Sequence, residues 1–98
     1  MKANEINNEI MKCLNLCIFE KAKRNDGIVG ESTISQLNEI ITELSNLKET
    51  LNSRVLPPTQ NRYLESFARA FKVWGWDMIK PSDLFLLLME INNKYRDL

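Results

Sequence analysis

Residues Tyr63 to Trp76 read YLESFARAFKVWGW, and the reading of this stretch decides the fold. It holds both tryptophans, two of the four phenylalanines and one of the two tyrosines, so any core must be built around it. Apolar residues fall at Tyr63, Leu64, Phe67, Ala68, Ala70, Phe71 and Trp74, which is the spacing of one wide helix face. Arg62, Glu65, Arg69 and Lys72 follow each other at three, four and three residues and predict a charged row opposite the rings. A helix of this kind buries one side and turns the other to solvent or to a partner.

Working outward, the same periodicity recurs three times. Towards the amino end, Ile34, Leu37, Ile40, Leu44, Leu47 and Leu51 keep a three-four spacing, the packing seam of a bundle or a short coiled coil. Thr33 with Gln36 three residues on fits a capping box at its start, with Ser32 as the alternative cap. Further back, Ile6, Ile10, Cys13, Leu14, Cys17 and Ile18 mark another helix, which Asn25-Asp26-Gly27 ends. Beyond the aromatic stretch, Gly75 is a stop and Pro81 fits a first helical position. Leu84, Leu87, Leu88, Ile91, Tyr95 and Leu98 then make the last stripe.

These patterns predict an all-α chain, with residues 1–98 as a single domain and helices near 4–24, 33–52, 60–74 and 82–96. An antiparallel four-helix bundle is the economical way to bury four one-sided helices joined by short links. Thr59 is expected to cap the third helix after the break at Pro57-Pro58. Leu44, Phe67, Phe71 and Leu88 are expected in one core. Ile28 and Val29 should plug it from a loop, and Val55 and Leu56 should pack down before the prolines. The leucine seam of the second helix serves equally inside one subunit or against a twofold mate, so a homodimer is a candidate assembly.

Thirteen basic and thirteen acidic residues give a net charge of zero, which removes the simplest argument for a nucleic-acid or membrane-surface partner. No apolar run approaches the ~18 residues of a membrane span, and the polar start MKANEINNEIMK does not read as a signal peptide, so a cytoplasmic protein is expected. The chain has no histidine, hence no ordinary base near neutral pH and no serine or cysteine triad. Cys13 and Cys17 share an apolar helix face and read as buried thiols; without a third cysteine or a histidine, one subunit cannot complete a soft metal site. Asp26-Gly27-Ile28-Val29-Gly30 lacks the lysine and hydroxyl of a phosphate loop. No catalytic residue, metal or cofactor is therefore assigned.

Two binding classes remain. Arg54 to Lys80 holds five basic and two acidic residues, so a basic third helix resting on phosphates is one. Protein recognition is the other, with an acidic second helix, the row Arg62, Glu65, Arg69 and Lys72 to steer, and Trp76 and Phe85 as aromatic anchors. Those two rings would otherwise cap the open end of the bundle. The segment LPPTQNRYLESFARAF, followed by tryptophan, aspartate and proline after a leucine-rich acidic helix, resembles small bacterial immunity proteins. Leu56, Pro57, Pro58, Arg62, Tyr63 and Trp76 carry the likeness, over about a quarter of the chain. The resemblance implies a non-catalytic cytoplasmic protein that binds and neutralises a toxin domain. The zero net charge departs from the acidic members of that class and points away from a strongly basic nuclease target.

Overall fold

The computed structural model describes residues 2–53 and 55–98. It is all-helical, and the described residues include no strand. Helix α1 spans Lys2–Asn25, α2 Ile34–Asn52, α3 Glu65–Lys72 and α4 Asp83–Arg96, with a 3₁₀ turn at Thr59–Asn61. α1 packs against both α2 and α4, and α3 packs on α2 and α4 with less contact. At 24 residues, α1 is ~36 Å long, which accounts for most of the 42 Å longest extent.

The ends of these helices follow from local chemistry. Gly27 adopts φ +83°, Ile28 N–H returns to Lys23 O at 2.9 Å and Gly27 N–H to Arg24 O at 3.1 Å, the paired bonds of a Schellman stop. Thr33 Oγ1 accepts from Gln36 N–H, and Gln36 Oε1 accepts from Thr33 N–H, both at 3.1 Å, completing the expected capping box. Ser82 caps α4 by accepting from Phe85 N–H, which leaves Pro81 just outside the helix instead of at its first position. Between α1 and α2, Arg24 acts as a clasp. Its Nε donates to Ser32 O at 2.6 Å and its Nη2 to Ser32 Oγ at 3.2 Å. A Cβ at Gly30 would overlap that guanidinium, so a side chain there would displace the clasp.

The core takes one stripe from each helix: Ile6, Ile10, Cys13 and Cys17 from α1; Leu37, Ile40, Leu44 and Leu47 from α2; Ala70 from α3; and Leu84, Leu88, Ile91 and Tyr95 from α4. The leucine seam is thus covered within one subunit by the chain's own helices. Three expectations are corrected here. Ile28 is 53% and Val29 92% exposed, so the α1–α2 loop is held down by the Arg24 clasp and not by an apolar plug. Val55 is also exposed, although Leu56 is half-buried. Phe71 is 44% exposed and lies outside the core that holds Leu44 and Leu88, with Phe67 packed at its edge.

Candidate protein-recognition face

α3 is only eight residues long, too short to persist by itself, and its position is set by groups from other helices. Leu64, its N-cap, offers no side-chain oxygen. Asn92 Oδ1 from α4 accepts instead from Leu64 N–H at 2.7 Å in a buried bond. The Glu43 carboxylate from α2 accepts from Glu65 N–H at 2.7 Å and Ser66 N–H at 2.9 Å, and the Ser66 hydroxyl also donates to it. A carboxylate at this end satisfies orphan donors and sits favourably in the helix dipole. Thr59, expected as the cap, starts the separate 3₁₀ turn, and the helix begins six residues later.

Ser66 and Ala70, four apart, are the buried line of α3, because small side chains let its backbone lie close against the core. This rotation decides which neighbours reach which flank. Towards α2, Arg69 Nη1 donates to both Glu39 carboxylate oxygens at 3.1 and 3.0 Å, and Arg69 Nη2 lies 3.7 Å from Glu65 Oε2. Arg62 is not on the helix at all; its Nε donates to Pro57 O at 2.8 Å and ties down the proline loop. The predicted row of Arg62, Glu65, Arg69 and Lys72 is therefore not one free face. Arg62 and Arg69 are engaged inside the chain, Glu65 pairs with Arg69, and Lys72 is exposed with no ion-pair partner among the described residues. Arg54, counted in the basic stretch, lies outside the described residues.

Trp76 and Phe85 require a second correction. Both are only 4% exposed, so neither is an accessible anchor. Trp76 stacks edge-on to Phe85 at 5.7 Å between ring centres and meets Trp74 at 5.5 Å; its Nε1 donates to Gln36 Oε1 at 3.3 Å. The left-handed turn at Gly75, φ +68°, brings the chain back so that Trp76 enters the core instead of leaving it. Phe85 then meets Phe67 at 5.6 Å. The alternative of rings sealing the helical core is the one observed.

The exposed rings lie elsewhere. On the α4 flank of α3, Phe67 and Phe71 form the shared wall of two adjoining hollows. One is closed by Met78, Pro81, Leu86 and Met89 over the buried ring of Phe85. The other runs past Tyr63, Ala68 and Lys72 to Asn92. Tyr63 is 50%, Phe71 44% and Met78 53% exposed, and Leu86 and Met89 38% each. A continuous apolar surface of this kind is the usual mark of a protein contact. The sequence carried one signal for it: Phe71 follows the small-residue line Ser66–Ala70 by one position and so cannot share its direction.

Other chemical features are closed. Cys13 and Cys17 are fully buried free thiols, as their helix face implies; a hydrogen bond with Cys17, then burial, push the Cys13 thiol well above the ordinary range. The open polar groove between α2 and α3 is lined by Glu39, Glu43, Glu65 and Arg69, which already satisfy one another or the α3 backbone. Among the described residues no three Cys, Asp or Glu side chains gather as a ligand set, and no helix is long and apolar enough to cross a membrane. No protein-family model, curated protein or solved structure matches this chain.

Proposed function

We propose that this chain is a non-catalytic recognition module that occludes a protein partner through the Phe71–Met89 face between α3 and α4. Its helices would run antiparallel as a four-helix bundle, an arrangement compatible with α1 packing on α2 and α4. The observation that carries the reading is the exposed apolar surface of Tyr63, Phe71, Met78, Leu86 and Met89, built on a helix locked from both sides by Glu43 and Asn92. A rigid aromatic anchor in a preset position loses little entropy on docking. The resemblance to bacterial immunity proteins makes a toxin domain the proposed partner and the cytoplasm the proposed place of encounter. Stoichiometric blocking requires none of the catalytic groups that this sequence lacks. The rival reading, a basic helix on phosphates, loses support because Arg69 is held by Glu39 and Glu65, and Arg62 by Pro57 O.

The test is capture of the partner from the native cell by the wild-type chain, then by Phe71→Asp and by Asn15→Asp on exposed α1. The partner should be lost with Phe71→Asp, retained with Asn15→Asp, and held with only a modest decline as salt rises. Retention of nucleic acid with a steep salt slope and no protein partner would replace this reading with the phosphate one.

A further inference from the structure

We infer that, without its partner, the chain covers this same face with a second copy of itself, in a twofold dimer whose axis runs along α3 and α4. The size of the surface is the first observation. Taking ~200 Å² for a large side chain, the exposed fractions of Tyr63, Phe71, Met78, Leu86 and Met89 leave roughly 450 Å² of apolar area. A standard interface covers ~800 Å² on each partner and is somewhat over half apolar, so this patch supplies the apolar share of one footprint. It also falls within the roughly 300–600 Å² of the largest apolar patch on a typical monomer, a size at which such patches are often functional.

Charge supplies the second observation. Lys72 borders the patch on its α3 edge. Glu90, four residues on from Leu86, borders it on the outer edge of α4. Both are exposed, and neither has an ion-pair partner among the described residues. Arg96, at one end of α4, already lies 4.0 Å from Asp97. A face with a basic margin on one side and an acidic margin on the other is complementary to itself under a twofold axis parallel to its helices. Lys72 of each copy then meets Glu90 of the other, while the apolar centres meet across the axis. A twofold axis perpendicular to the helices in the same plane sets like charges together and is disfavoured. The dimer seam thereby falls on α3–α4, not on the leucine seam of α2, which is filled within the subunit.

This dimer rests on reading the face as a recognition surface, but the two ideas separate in experiment. Sedimentation equilibrium of the full chain should give a dimer. Lys72→Glu alone and Glu90→Lys alone should each raise its dissociation constant roughly tenfold, since each reversal places two like-charge contacts at the symmetric interface. An equimolar mixture of the two variants, and the double variant K72E/E90K, should both return to wild-type affinity. Circular dichroism keeps folding defects apart, as both positions are exposed. A wild-type chain that stays monomeric at high concentration overturns the dimer, as does a dimer indifferent to either reversal or a mixture that fails to recover. A monomer that still loses its captured partner on Phe71→Asp would overturn the self-association and leave the recognition face standing.

Discussion

On its α2 side, α3 ends in hydrogen bonds: Glu43 holds the first amides, and Glu39 grips Arg69 with both oxygens. On its α4 side, the same short helix presents Phe67 and Phe71 to a wall of Met78, Leu86 and Met89, and then to solvent. The first flank is satisfied within the chain. The second is well packed at its floor, where Phe67 meets Phe85 at 5.6 Å, and unfinished above it. The contrast shows that apolar mass alone did not decide burial. Direction did, and direction was set by the small residues Ser66 and Ala70 and by caps supplied from α2 and α4.

The largest expected effect tests that contrast between rings. Trp76→Ala or Phe85→Ala should cost roughly 3–5 kcal/mol, because each empties a filled core position. Phe71→Ala should cost less than about 1 kcal/mol, since its ring is already half in solvent. Chemical denaturation of the three variants should give this gap, and equal losses would erase the distinction between the inner and outer rings. Next, Glu43→Ala should destabilise the protein by about 1–3 kcal/mol by leaving the Glu65 and Ser66 amides unpaired. Hydrogen exchange should show the loss first at those two amides, whereas uniform acceleration would mean that α3 is not held by its caps.

Gly75→Ala should cost about 1–2 kcal/mol through its positive φ alone, since open space surrounds the new methyl group. If this turn is what steers Trp76 inward, its fluorescence should shift towards that of solvent-exposed indole in the variant. The smallest effect lies in alkali. Burial raises the Tyr95 hydroxyl above its ordinary pKa of 10.0, so the unfolded chain releases that proton first. Stability should therefore be intact below pH 10 and fall as pH rises beyond it, and Tyr95→Phe should flatten that part of the profile.

Most of what neighbours in sequence govern was legible, Pro81 and Ile18 excepted: the first stands before the Ser82 cap, and the second is exposed at the margin of the α1 stripe. Thr33 with Gln36, the stop at Gly27, the turn at Gly75 and the stripes of α1, α2 and α4 all depend on residues within one or two turns. The start of α3 was not, because its capping groups stand 22 and 28 residues away in the chain. Thr59 had the right chemistry for a cap and no helix behind it. The candidate site failed in the same way. Trp76 and Phe71 belong to one aromatic cluster, and the pattern of that cluster is compatible with either ring facing inward. Only the rotation of α3 about Ser66 and Ala70 assigns them. Glu65 stands four residues before Arg69, within reach on one helix face, but the second partner of Arg69, Glu39, lies 30 residues back, where no local pattern shows it.

The two thiols of α1 can serve as a clock. Cys13 and Cys17 show no accessible area, and α1 packs on both α2 and α4. An alkylating reagent therefore reaches them only when that central helix lifts away. Where closing outruns alkylation, the rate reports the fraction of time the central helix is open, without any added probe. A partner bound between α3 and α4 touches neither cysteine, so any slowing of alkylation on binding would measure how firmly that distant contact clamps the rest of the fold.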